Sequence, residues 1–303
     1  MYVKTIKRIN LILFTFLLLI TGCEENKPPE QTSPDLLTIY TSIYPLQYLT
    51  ESIAGEYAHV SSIYPAGVDA HTYEPTSREM TEIAKADAFI YFGQHMEGFS
   101  DKIAATLASH HVAFIEIGSH GYLFREGNGS HVDPHIWLDP IRMIDMATII
   151  KEELIRLNPE HTDEFNKAYD DVIEELMQLD EEFIHVLESK INKKIIVSHA
   201  AYGYWEERYG LEQLTISGIS STDEPSQKEL VTLIKAIKEQ GLDYIIFNQR
   251  GKHRLSTIVQ QQTKTEKRII HDLEVLTEED IKNHEDYMSL MKKNLKTLDV
   301  VTH

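Results

Sequence analysis

Cysteine is all but missing: one residue of 303, Cys23, carries a thiol. A lone thiol has no partner in the chain, which excludes an internal disulfide and a cysteine-built metal site. Basic residues are scarce as well, 29 Lys and Arg against 48 Asp and Glu, for a formal charge of −19. Lys4, Lys7 and Arg8 are the only charges in residues 1–22, so loss of that segment takes the charge from −19 to −22. Such a balance is repelled by phosphate backbones and anionic headgroups; it argues against a nucleic-acid partner and for a body that stays in solution. Catalytic signatures are lacking too. There is no His-Glu-x-x-His, no Gly-x-Ser-x-Gly, no P-loop, and no Gly-x-Gly-x-x-Gly after a predicted strand. Ile9–Ile20, broken by Asn10 and Thr15, is too short to span a bilayer comfortably.

That apolar run follows three basic residues and ends in Ile20-Thr21-Gly22-Cys23, a targeting pattern that resembles a bacterial lipobox. Residues 1–22 are therefore expected to be a lipoprotein signal peptide, with a lipid (palmitate) on Cys23 anchoring the protein to the extracytoplasmic face of the cell membrane. Residues 23–35 are polar and Pro-rich, as suits a flexible tether.

From Leu36 onward, short β-type runs alternate with helical patterns. Thr38–Ile43, His59–Tyr64, Ala88–Phe92 and Val112–Ile117 read as strands, with helices over Leu46–Ala54, Ser77–Ala86, Ser100–Ser109 and Pro140–Leu157. Glu160–Glu188 has no Gly or Pro, and Phe165, Tyr169, Val172, Ile173, Leu176, Leu179, Phe183 and Leu187 recur at steps of three and four, as one long amphipathic helix would require. Alternation then resumes, with strands at Lys194–Ser198, Leu214–Ile219, Tyr244–Phe247 and Arg268–His271, and helices between and after them, the last over His284–Leu298. Strands alternating with helices imply mainly parallel sheets. The expected architecture is α/β: two Rossmann-like lobes, residues 36–158 and 191–303, joined by a rigid backbone helix over 159–190, with a site in the cleft between them.

The stretch His131-Val-Asp-Pro-His-Ile-Trp-Leu-Asp-Pro140 packs two imidazoles and two carboxylates between prolines that stiffen the backbone. A stiff backbone beside acids suits a preset metal ligand, although a histidine next to tryptophan is also a common packing residue. Four residues sit at or beyond predicted strand ends: His71, His135, His199 and Glu274. Ligands of open α/β sheets bind at those ends. If both lobes face one cleft, the four form a site of three nitrogens and one oxygen, which suits Zn²⁺. His120 and His131 flank a short loop and form a possible auxiliary metal site; exposed loop residues are the plainer reading. His110 and His111 read as exposed residues at a helix end, and Glu74 as a partner behind His71. His271 and Asp272 alternate with Glu274, so the three cannot all point the same way.

Together, Gly67–Pro75 (GVDAHTYEP), Asp133–Pro140 (DPHIWLDP), His199–Leu211 (HAAYGYWEERYGL) and the tail from Leu273 resemble the zinc and manganese solute-binding lipoproteins of bacterial ABC importers. The resemblance runs from about Leu36 to Leu298. It implies a protein that captures Zn²⁺ outside the membrane and hands it to an ABC permease, with no catalysis. It makes His71, His135 and His199 ligands and puts Glu274 at the fourth position. Manganese members look as if they place a carboxylate where this chain has His199, so zinc is favoured over Mn²⁺. A long His- and acid-rich insertion of many zinc members is reduced here to Glu126–Ser130. A monomer is expected. The alternatives are a manganese member of the same family, an envelope-anchored zinc hydrolase using Glu274 as base, and an adhesin with a structural metal. Because the imidazoles must be neutral to bind, affinity is expected to fall below about pH 6.5.

Overall fold

Two runs of four short strands, each strand followed by a helix or a loop, build two sheets of the same topology. The computed structural model describes residues 36–93, 96–124, 132–220, 223–250 and 254–303. Cys23, the tether and His131 lie outside them. Leu37–Thr41 (β1), Ala58–Ser62 (β2), Ala88–Tyr91 (β3) and Ala113–Glu116 (β4) pair in parallel in the order β2-β1-β3-β4. Parallel neighbours need crossovers, and Tyr44–Ala54 (α1), Ser77–Ile83 (α2) and Ser100–Leu107 (α3) lie in them. Every residue of β3 is buried, as in a strand covered on both faces.

Pro140–Leu157 (α4) starts on a proline at its first position, with the Asp139 carboxylate accepting from Ile141 N–H. Thr162–Glu188 (α5) is the long helix, 27 residues or about 40 Å. Asp163 and Glu164 favour its N-terminus through the helix dipole, and its apolar stripe packs on α1 and α4. One buried position in that stripe is charged. Asp180 accepts from the Tyr209 hydroxyl at 2.8 Å and pairs with the Arg208 guanidinium, tying the long helix to the second half of the chain.

Lys194–Val197 (β5), Gly203–Tyr209 (α6), Glu212–Thr215 (β6), Gln227–Gln240 (α7), Tyr244–Asn248 (β7), Arg254–Thr263 (α8) and Glu266–Ile270 (β8) give the second parallel sheet, ordered β6-β5-β7-β8. Glu278–Lys282 (α9) and Tyr287–Val301 (α10) follow. No helix among the described residues is long and apolar enough to cross a membrane.

The sheets do not have separate cores. One continuous buried cluster runs from Ile39 and Phe89 through Trp137, Phe183 and Trp205 to Val197, Ile246 and Tyr287, and only the far face of the second sheet, around Ile196, Ile245 and Phe247, forms its own. Large aromatics shared between the halves leave little room for a wide hinge, because close-packed interiors resist continuous deformation.

Element ends shift by up to three residues from the sequence reading, and two elements depart further. β6 lies at Glu212–Thr215, not Leu214–Ile219, because its ladder is set by β5, which ends at Val197 opposite Thr215. Helix α9 was not expected, although Thr277 and Asp280 form a capping box that was legible as Thr-x-x-Asp.

Candidate metal centre

All four candidate donors are carried by loops beyond the carboxyl ends of strands. His71 follows β2 in a loop that turns at Gly67, whose φ of 75° disfavours any side chain and whose N–H donates to the Leu276 carbonyl at 2.9 Å. The Asp69 carboxylate accepts from His71 N–H at 3.0 Å. His135 stands just before the turn Ile136–Leu138, fully buried. His199 is two residues past β5. Glu274 lies beyond β8, and its carbonyl accepts from Tyr44 N–H at 2.8 Å. The residue before it, Leu273, has φ 63°, a left-handed conformation that costs about 1 kcal/mol for a side-chain-bearing residue. Complete burial of that side chain and donation from Leu273 N–H to His271 Nδ1 at 2.8 Å hold it there.

The loops converge. His71 Nε2 is 3.4 Å and His135 Nε2 3.6 Å from Glu274 Oε1, and His199 Nε2 is 3.4 Å from His135 Nε2. One donor atom from each of the four lies within 4.8 Å of the others. Bonds of about 2.0–2.1 Å in a tetrahedron put ligand atoms about 3.3 Å apart, so three contacts are already near that spacing. His71 Nε2 is buried without a hydrogen bond, as fits an atom aimed at a cation.

The surroundings set the ring orientations. His135 Nδ1 lies 2.9 Å from Asp133 Oδ1, which also accepts from His135 N–H, so Nδ1 is the donor and Nε2 faces the centre. Asn248 packs behind His199. Its Oδ1 accepts from the Ser198 and Tyr202 hydroxyls, while Nδ2 approaches Asp272 Oδ2 at 3.2 Å and His199 Nδ1 at 2.8 Å. The Tyr204 hydroxyl donates to the Asp133 carbonyl and Trp137 Nε1 to the Asp272 carbonyl, binding loops of the two halves together.

Charge follows from these contacts. Burial alone would lower His135, but Asp133 and Glu274 outweigh it and raise the ring to about 9. Burial and the neighbouring His135 push His199 down to about 4. Burial would raise Glu274; instead the His135 and His71 rings and Arg250 hold it well below the usual carboxylate range. A cation entering here meets one ionised carboxylate and must displace a proton from His135.

The rival residues fall elsewhere. His271 turns away to Asp280, 3.1 Å from its Oδ2, while Asp272 and Glu274 both face Arg250. Glu74 is exposed, and Asp69 rather than Glu74 braces His71. His110 and His111 are exposed. His120 is half-buried, its Nδ1 3.2 Å from the Ile117 carbonyl. Among the described residues, the four donors form the one group of this kind. Asp133, Asn248 and Arg250 are bracing residues that the sequence reading did not single out, and Asp272, weighed there only as a rival of Glu274, is another. Asp133 could have been found from its Asp-x-His spacing. Asn248 and Arg250 stand 49 and 24 residues from the donors they touch, with no local signal.

Comparison with known proteins points the same way. A family model described as "ZnuA: Zinc-uptake complex component A periplasmic" matches residues 39–300. The "Zinc-binding lipoprotein AdcA" of Streptococcus pneumoniae (strain ATCC BAA-255 / R6) is 32% identical over 311 residues, 98% of this chain and 61% of its own length. The chain thus spans about three fifths of the AdcA relative it matches. The "High-affinity zinc uptake system protein ZnuA" of Bacillus subtilis (strain 168) is 26% identical, with 93% of each chain covered. Among solved structures, the Zn(II)-bound ZnuA-like domain of Streptococcus pneumoniae AdcA is similar with a TM-score of 0.77 and 33% identity, over 88% of this chain and 99% of that domain.

Proposed function

The chain belongs to the family of periplasmic zinc-uptake complex A components, and from that premise we propose that it captures Zn²⁺ outside the membrane and delivers it to an ABC permease. In this reading residues 1–22 are a lipoprotein signal, Cys23 carries the lipid anchor, 23–35 are the tether, 36–158 and 191–303 are the lobes, and 159–190 link them. His71, His135, His199 and Glu274 hold the cation. The observation that carries the reading is the convergence of those four donor atoms within 4.8 Å, two from each half of the chain. Three imidazole nitrogens and one carboxylate oxygen suit Zn²⁺ better than Mn²⁺, which prefers oxygen. Four protein donors fill a tetrahedral shell, whereas hydrolytic zinc keeps a position for water; the proposal is therefore carriage without catalysis.

The test is zinc titration with and without chelator. Zinc at a hundredfold excess over Kd adds about 2.7 kcal/mol, which for a domain of this size raises the melting temperature by about 5 °C. The chelated protein is expected to keep its far-UV circular dichroism, because the continuous core does not depend on the ion. Unfolding on chelation would mark the metal as structural and sink the carrier reading. A second expectation concerns Asp133→Ala: loss of the carboxylate that orients His135 weakens zinc binding about 10–100-fold. An unchanged affinity in a competition titration would remove Asp133 from the site.

A further inference from the structure

Glu274 divides its two oxygens between different partners. Oε1 faces the two imidazoles, 3.4 Å from His71 Nε2 and 3.6 Å from His135 Nε2, while Oε2 lies 3.3 Å from Arg250 Nη2. The same Nη2 is 2.6 Å from Asp272 Oδ1, and Nη1 donates to the Val68 carbonyl, three residues before His71. The Arg250 side chain is only 9% exposed. Its planar fork therefore grips the carboxylate donor, the acid behind it and the His71 loop at once, a geometry a lysine cannot reproduce. Asp272 passes the grip onward through Asn248 Nδ2 to His199.

We infer that Arg250 restricts Glu274 to a single donor oxygen and so selects Zn²⁺ against Mn²⁺; this rests on the reading of His71, His135, His199 and Glu274 as the cation's ligands. Zn²⁺ is content with four tetrahedral donors. Mn²⁺ prefers six-coordinate, oxygen-rich surroundings. With Oε2 held by the guanidinium, the protein offers three nitrogens and one oxygen and no more. Withdrawing the guanidinium frees Oε2 to chelate and removes one positive charge from beside two carboxylates. Both changes favour the harder ion.

Arg250→Met and Arg250→Lys separate the two parts, the first removing charge and fork, the second keeping charge and losing the fork. Zn²⁺ and Mn²⁺ affinities are measured by competition titration on the full chain, with X-ray absorption on the zinc-loaded proteins. The wild type is expected to show four coordinating atoms. Arg250→Met is expected to lower the Zn²⁺/Mn²⁺ affinity ratio at least tenfold and raise the coordination number toward five, with Arg250→Lys shifting both in the same direction. A folded Arg250→Met that binds zinc with the wild-type ratio and four coordinating atoms overturns the inference. Should Arg250→Met fail to fold by circular dichroism, Arg250→Lys decides on the same two readouts. A wild type that binds no zinc, or keeps its affinity in His199→Ala, would overturn the underlying reading instead.

Discussion

Replacing His199 with alanine is expected to weaken Zn²⁺ binding by two to three orders of magnitude while leaving the fold intact. Four-ligand zinc sites contribute about 10–16 kcal/mol, so one ligand in four accounts for about 2.5–4 kcal/mol. Removing His199 leaves the network around it in place: its Nδ1 meets Asn248, and that amide keeps the Ser198 and Tyr202 hydroxyls and Asp272 as partners. Glu274→Ala is expected to lose less affinity, since a water can replace one oxygen donor, but more stability, since Arg250 loses one of its anchors. Competition titration against a chelator of known affinity, with circular dichroism as the folding control, reads both. Unchanged binding in His199→Ala would break the site and redirect attention to His120 and His131.

The affinity itself is expected to climb about tenfold per pH unit between pH 6 and 8.5, with about one proton released for each zinc bound near neutrality. The direction follows from His135. Although it is buried, Asp133 and Glu274 raise it from its ordinary 6.5 to about 9, so a proton occupies the ring across that range and competes with the cation. His199, pushed down to about 4, is neutral throughout and adds no slope. The window expected from sequence, a fall below pH 6.5, is thus displaced upward by Asp133, two residues away, and by Glu274, which no local pattern placed beside the ring. A stability consequence runs with it. A raised His135 stabilises the cation-free protein fully below pH 6.5 and loses that contribution as pH rises through 9, about 3 kcal/mol over the two and a half units involved. The melting temperature of the chelated protein should fall over that interval; calorimetry in a pH series, alongside proton release measured in two buffers of different ionisation enthalpy, checks both. A flat affinity between pH 6 and 8.5 would mean His135 is neutral when zinc arrives.

What the sequence determined by itself is whatever periodicity and residue type encode locally. The long helix was legible because Phe165, Val172, Leu176, Leu179, Phe183 and Leu187 repeat along one face without a breaker. The parallel sheets were legible from alternation, and the cluster of four candidate donors from their seats just past strand ends, where an open α/β sheet binds ligands. Asp180, charged within the apolar stripe, was not legible, because its reason lies in Arg208 and Tyr209 on another helix. The tertiary structure alone decided that both sheets share one core, that Nε2 of each histidine turns inward, that His135 holds its proton to about 9, and that Arg250 takes one oxygen of Glu274. These rest on contacts across long stretches of chain, such as the 182 positions between Arg250 and Val68. A strand's period specifies which face a side chain occupies; it carries no record of which distant loop meets it there.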